Sequence, residues 1–426
     1  MRRSSSLLVP TLALASALGT AHAVLVASPT ERPQGFAAQG TGTTGGAGGW
    51  VDTAETISEL QTLAKKAGKG IIYIKGTMGD AGSKTSKGGD RIVPTADKSF
   101  LGLPGATIKG GFDIKVSNII IRNVAVWGPG ANDIDGNDPI HIEGTGAKNI
   151  WIDHVLVSDG QDGNLDITNG ATNVTVSWTK FSYTSLSSNH QYCNLIGSSA
   201  SKTSDRGLLK TTFLWNWWAD GVVERMPRVR FGEVHVINNL IKTNTSNYAV
   251  RAGQEANILV ERNAFIKTKN PINIFTDESG QRVKVTADNL FSGTSGTTAG
   301  INEGQVFTPP YTITGLLPAA NLDARISDPA DGAGPTIDSW GTPTGIETPF
   351  ERTTSFHVER QGTMIEIRNW GLEGTVRLRD LSGRTIGSAQ AFPVGGVARL
   401  TAPRGVVVVE VRTSEGVSSR LVGGTL

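Results

Sequence analysis

Three aspartates carry the first chemical signal in this chain. Asp138 lies in DIDGNDPIHIEG, and Asp162 and Asp166 lie in GQDGNLDIT. Asp162 follows Asp138 by 24 residues. If the chain coils with that period, the two carboxylates stack on adjacent rungs, one strand spacing apart. Asp166 comes four residues later, and a straight strand would carry it ~13 Å away. The Gly163-Asn164 turn must therefore fold it back. Converging carboxylates repel unless a cation neutralises them, and oxygen ligands with no His or Cys nearby suit Ca²⁺ rather than zinc. The plainer alternative is a set of solvated turn aspartates.

The second signal is basic. Arg225-Met226-Pro227-Arg228-Val229-Arg230 places three arginines within six residues. Alternate residues of a strand share a face, so Arg228 and Arg230 should point the same way, while Pro227 could aim Arg225 separately. Clustered guanidiniums usually answer an anionic ligand. A solvated basic edge is the alternative. Acids and arginines on one face point to a polyanionic, carboxylate-bearing polymer.

What positions them is a run of short β-branched segments: IIYIKG, SNIIIRNVAVWG, KNIWIDHVLVSD, TNVTVSWTKFSYT, LLKTTFLWNWW, EVHVINNLIK and ANILVERNAFI. Aligning the last six places Asn123, His154, Trp178, Asn216, Asn239 and Asn263 at one position, with steps of 31, 24, 38, 23 and 24 residues. A coil of 23 or 24 residues is too short for a strand plus crossover helix but holds three short strands and three turns. The expectation is a parallel β-helix, lengthened by two insertions, with recurring asparagines forming a hydrogen-bonded ladder. Before it, Thr56 and Glu59 fit a capping box for a helix with Ile57, Leu60, Leu63, Ala64 and Ala67 on one face, placed to cover the open end of the coil.

Length and composition agree with one large coil plus an appendage. The chain has 426 residues, 53 of them Gly, with 18% charged and 38% hydrophobic side chains, which excludes a disordered or collagen-like chain. Lys and Arg number 40 against 38 Asp and Glu, so no charge-driven nucleic-acid partner is implied. Residues 1–23 read as a Sec-type signal peptide: Arg2 and Arg3 form its basic start, Leu7 to Leu18 its apolar run, and Ala21-His22-Ala23 its cleavage site. A secreted protein, extracellular or at the cell surface and without a membrane span, is expected. Cys193 is the single cysteine, so no internal disulfide can form.

Residues 24–337 are assigned to the β-helix, 338–350 to a linker and 351–426 to a separate module. The last lysine is Lys284, and residues 351–426 hold ten Arg and no Lys. The strands TMIEIRNW, GTVRLRDLSGRTIG and GVVVVEVRT, with Leu381-Ser382-Gly383-Arg384 as a hairpin turn, predict a small antiparallel β-sandwich. It resembles the tails that serve as sorting or attachment signals in secreted bacterial enzymes; carbohydrate binding is the alternative. A monomer is expected.

From about Gly35 to Gly334 the chain resembles the pectate lyases of polysaccharide lyase family one. The resemblance rests on GFAAQGTGTTGG, WIDH, DGNLDIT, VTVSW, NLIGSS and RMPRVRFGEVHVINN. It implies an all-β chain folded as a right-handed parallel β-helix, and a polysaccharide lyase that cleaves α-1,4-linked polygalacturonate by β-elimination. It further implies that Asp138, Asp162 and Asp166 bind Ca²⁺, that Arg225 removes the C5 proton, and that Arg230, with Arg228 beside it, binds substrate carboxylate. Arginine holds its proton above pH ~12 in water, so its cationic neighbours must weaken that hold and activity should rise into alkaline pH. One departure stands out. Where many members read H-x-K ahead of LIG, with a substrate-binding lysine, this chain reads His190-Gln191-Tyr192. Tyr192 cannot neutralise a uronate, although Lys202 or Arg206 could compensate.

Other readings stay open at this stage. They are a pectin lyase on methylated polymer, which would lack the calcium acids; a β-helical polygalacturonase, which needs carboxylates spaced for hydrolysis; and a non-catalytic adhesin. His154 and Trp151 are expected to pack. Trp215, Trp217 and Trp218 should alternate between core and a face able to stack on a sugar.

Overall fold

A computed structural model describes residues 21–22, 25–134 and 138–341, together with 356–361, 363–369, 374–379, 385–386, 390–392, 397–402, 407–413 and 416–422. The expected signal residues 1–20, the 342–350 part of the expected linker and the expected turn at Leu381 to Arg384 lie outside the described residues. Among the described residues, no helix is long and apolar enough to cross a membrane.

Short runs of two to six residues, mostly β-branched, give the coils three strands each, as in Lys148–Asp153, Leu156–Ser158 and Leu165–Thr168. Like strands of successive coils pair in parallel, building sheets of ten, nine and eight strands. Inward positions stack a continuous core of Ile, Val, Phe and Leu, including Ile121, Ile152, Val176, Phe213, Val236 and Val260. Each side chain packs on its counterpart one rung away, so burial and register reinforce each other. This is the parallel β-helix that the spacing implied.

The register corrects the repeat alignment by one residue. Arg122 pairs with Asp153, Asp153 with Ser177, Ser177 with Leu214, Leu214 with Ile237, and Ile237 with Glu261. Asn123, His154 and Trp178 therefore continue into Trp215, Asn238 and Arg262. All six sit at one corner with φ between 46° and 57°. The expected ladder exists one position later. Asn216, Asn239, Asn263 and Asn289 pass hydrogen bonds of 2.8–3.0 Å from rung to rung, the Oδ1 of each of the last three accepting the backbone N–H and Nδ2–H of the asparagine before it.

The capping box forms as expected at Thr56 and Glu59, and the helix Ile57–Lys65 buries Leu60 and Ala64. It packs against Trp50–Ala54, the edge strand of the ten-stranded sheet. Ala67 lies beyond the helix and is exposed. The segment of residues 35–49 runs along that same sheet, with the N–H groups of Phe36 and Ala37 donating to Thr212 and Thr175 at 3.0 Å. Only glycine fits at Gly46, where a Cβ would fall 1.9 Å from the Gly70 carbonyl oxygen.

The C-terminal part forms two four-stranded antiparallel sheets with their own core of Ile365, Ile367, Val376, Leu378, Leu400, Val409 and Val411. The pair Ala21–His22 joins one of these sheets, opposite Glu359 and Arg360.

Candidate active site

The two coils with extra residues build the site. The first insertion, residues 128–139, brings in Asp133 and Asp138; the second, residues 183–193, brings in His190 and Tyr192. Both end on strands of the eight-stranded sheet, where Ile140–Glu143, Leu165–Thr168, Asn194–Ile196 and Arg228–Val229 are successive neighbours.

The structure brings Asp138 and Asp166 together at the Gly163 turn, with Asp162 close enough for its charge to act on both. Here too the period is 25 rather than 24, since Ile140 pairs with Leu165 and His141 with Asp166. Asp138 therefore comes opposite Gly163 instead of Asp162. A Cβ on Gly163 would lie 3.1 Å from Asp166 Oδ1 and 3.4 Å from Asp138 Oδ1, so two carboxylate oxygens converge on the space this glycine leaves open. Asn164 fixes the turn: its Oδ1 accepts from Gly160 N–H at 3.0 Å, and its own N–H donates to the Cys193 carbonyl at 3.0 Å. Asp138 Oδ1 is buried without a hydrogen-bond partner.

The electrostatics follow from that crowding. Burial, then the charges of Asp166 and Asp162, push the Asp138 carboxyl well above the ordinary carboxylate range. Burial raises Asp166 to about 7, with the Arg225 guanidinium opposing the rise. Asp162 goes the other way because the His190 ring contacts it. Two buried acids that resist ionising, one with an unanswered oxygen, suit a hard cation supported by carboxylates.

The absence of histidine near these acids does not hold. His190 Nε2 lies 2.9 Å from Asp162 Oδ1 and Nδ1 lies 2.8 Å from Asp133 Oδ1. The two ring nitrogens point away from each other, so the ring bridges two carboxylates. Cys193 is fully buried beside Asn164, a packing residue as expected.

Arg225 sits at a corner with φ 61°, a sparsely populated conformation for a residue with a side chain. Its guanidinium lies 4.7 Å from the centre of the Tyr192 ring. Arg228 and Arg230 do share a face, but their anionic partner is internal. Glu278 lies 3.4 Å from Arg228 and 2.9 Å from Arg230. Arg230 also donates to the Ser198 carbonyl at 3.1 Å. Sequence reasoning missed Glu278, which sits in the turn TDESG two coils away from the arginines, and it also missed Asp133 and the bridging role of His190. Arg206 is committed to Glu255 at 2.6 Å, and Lys202 lies beside Asp205.

The tryptophans are structural. Trp218 is in the main core, Trp215 stacks on Trp178 at 5.2 Å, and Trp217 packs beside them with the Lys180 amine 4.3 Å from its ring centre. His154 is wholly buried against Trp178, and Trp151 donates to Ser177. A cavity of about 620 Å³ lies elsewhere, on the ten-stranded sheet beneath residues 303–316, and contains none of the three acids.

Residues 5–314 match the family model for pectate lyase. The chain belongs to the pectate lyase family. It is 32% identical over 340 residues to probable pectate lyase B of Aspergillus terreus, covering 75% of this chain and 97% of that protein. It is 34% identical over 256 residues to a pectate trisaccharide-lyase of Bacillus licheniformis, covering 56% and 69%. Among solved structures, a pectate lyase bound to hexasaccharide matches at 25% identity with a TM-score of 0.58, covering 74% of this chain and 99% of that one. Pectate lyase II of Xanthomonas campestris shares the fold at 22% identity with a TM-score of 0.56, covering 72% and 99%. As a family member the chain is an enzyme, a polysaccharide lyase on a parallel β-helix.

Proposed function

We propose that this protein is a secreted, calcium-dependent pectate lyase that cleaves α-1,4-linked polygalacturonate by β-elimination. The carrying observation is the convergence of Asp138 and Asp166 on the Gly163 gap, with an orphaned Asp138 oxygen. Asp138, Asp162 and Asp166 would hold Ca²⁺, which supplies positive charge that helps neutralise a uronate carboxylate. Arg225 takes the C5 proton once it has lost its own. The C5–H electron pair becomes the C4–C5 double bond, the C4–O bond breaks, and the departing oxygen takes a proton from solvent.

Arg228 and Arg230 meet substrate carboxylates from a position already shared with Glu278, so they balance charge without leaving a bare cationic patch. Tyr192 stands beside Arg225 as an uncharged residue. The leader supports export; cleavage after Ala23 removes the Ala21–His22 pairing and leaves the sheet to its three tail strands. The C-terminal sandwich acts in sorting or surface attachment, and the enzyme works as a monomer.

The test is to incubate the mature protein with polygalacturonate and calcium and follow ultraviolet absorbance. Unsaturated product appears, and Arg225→Ala abolishes it while calcium binding persists. Reducing ends without absorbance would make the protein a hydrolase, and neither signal would leave an adhesin.

A further inference from the structure

Tyr192 stands where a cation was expected, and the structure gives its ring a different task. Cys193 N–H donates to the Glu224 carbonyl at 3.0 Å and Asn194 N–H to the Arg225 carbonyl at 2.7 Å, so the chain after Tyr192 is locked alongside the chain that carries Arg225. Tyr192 itself bridges in parallel to Glu224. Its N–H donates to the His190 carbonyl at 2.7 Å, and its own carbonyl accepts from the hydroxyl of Tyr183, a buried residue. The ring rests against His190 with centres 4.0 Å apart. Its backbone and ring are therefore both fixed before any ligand arrives.

Arg225 depends on that ring. Its Nε is buried with no hydrogen-bond partner, and its guanidinium lies 4.7 Å from the centre of the Tyr192 ring. A guanidinium over an aromatic face is held by the ring quadrupole, most strongly when water is excluded.

We propose that Tyr192 is a positioning residue whose ring face sets the direction of the Arg225 guanidinium. This rests on the reading of Arg225 as the residue that removes the proton. His190 touches both Tyr192 and Asp162, so one stack of rings joins the arginine to the acid cluster.

The test compares Tyr192→Phe, Tyr192→Leu and Tyr192→Lys in the mature protein, using polygalacturonate at saturating calcium. Losing the aromatic face in Tyr192→Leu lowers kcat about five- to thirtyfold with KM nearly unchanged. Tyr192→Phe restores kcat because it keeps the face, and Tyr192→Lys falls with the leucine variant. Calcium affinity by calorimetry stays the same in all three. A second readout does not depend on turnover. The Arg225 Nε–H resonance carries a ring-current shift that persists in the Phe variant and disappears in the Leu variant. Equal kcat in the Phe and Leu variants, a rise in KM alone, or an unmoved Arg225 resonance would overturn the proposal. If the wild type makes no unsaturated product but the resonance behaves as described, the lyase reading fails and the positioning role stands.

Discussion

His190 Nε2 lies 2.9 Å from Asp162 Oδ1. The ring's other nitrogen lies 2.8 Å from Asp133, so Asp162 is tied to the loop that leads into Asp138. A carboxylate oriented by a neighbouring ring meets a cation without first losing its own rotational freedom. Removing such outer partners typically weakens metal affinity about 10–100-fold. His190→Ala is therefore expected to weaken calcium binding by about tenfold in calorimetry, with near-normal thermal stability in the presence of EDTA. Unchanged affinity would mean that the ring only holds the loop.

Gly163 is open because two oxygens need the space. In Gly163→Ala the new Cβ would stand 3.1 Å from Asp166 Oδ1 and 3.4 Å from Asp138 Oδ1, pressing both carboxylates out of place. Calcium affinity should fall at least about tenfold, while circular dichroism and far-site stability remain as in the wild type. Retained affinity would show that the cation is held elsewhere.

The raised acids make the metal-free protein sensitive to pH in an unusual direction. A carboxyl whose folded pKa exceeds its unfolded one binds protons more tightly in the native state, so its contribution is complete below about pH 4 and lost as pH rises through the folded value. For Asp166 that folded value is about 7, and Asp138 shifts in the same direction. With EDTA, Asp166 lowers the melting temperature between about pH 4 and 7, and Asp138 acts in the same direction. Added calcium restores stability by mass action, more at pH 8 than at pH 5. Melting scans of wild type against Asp166→Asn isolate the effect, since the neutral variant should lose the pH-dependent part. An equal slope in both proteins would sink the assignment.

The coil and the acid cluster were legible because both depend on circumference. Stacked hydrophobic rungs force a nearly constant period, and that period alone placed Asp138 and Asp162 on neighbouring coils. The one-residue slips at Asp138 and at Asn216 arose at corners, where the chain can absorb an extra residue without disturbing the core. Glu278 and His190 were not legible as partners of Arg230 and Asp162. Their placement depends on loop conformations that carry no repeat, and on side chains reaching across coils. The arginine cluster was read as answering an anionic ligand; the anion the structure places there is Glu278 of the protein itself.

The asparagine ladder makes a stability prediction independent of the chemistry. Asn239 Oδ1 accepts two hydrogen bonds from Asn216, and its Nδ2 donates to the Phe213 carbonyl and to Asn263. All of this is buried. Asn239→Ala strands donors and acceptors on both neighbouring rungs, at about 1–3 kcal/mol each for those left unsatisfied. A loss of roughly 3 kcal/mol in denaturant unfolding is expected, with kcat unchanged in the protein that remains folded. A loss below about 1 kcal/mol would show that water replaces the ladder.

Glu278 links the stability of the arginine cluster to its affinity for a polyanion. It is the shared partner of Arg228 and Arg230, and its Oε2 accepts the Gln254 N–H at 2.5 Å. Glu278→Gln leaves two largely buried guanidiniums facing each other without their counter-charge. Breaking a buried pair from one side costs about 3–5 kcal/mol, discounted here to roughly 2 kcal/mol because both arginines retain some solvent. The same change makes the surface around the two arginines more positive, so KM for polygalacturonate should fall at low salt even as the protein loses stability, and the gain should shrink as salt is raised. If KM rises instead, Glu278 orients the two arginines for substrate, and its charge is part of the binding geometry.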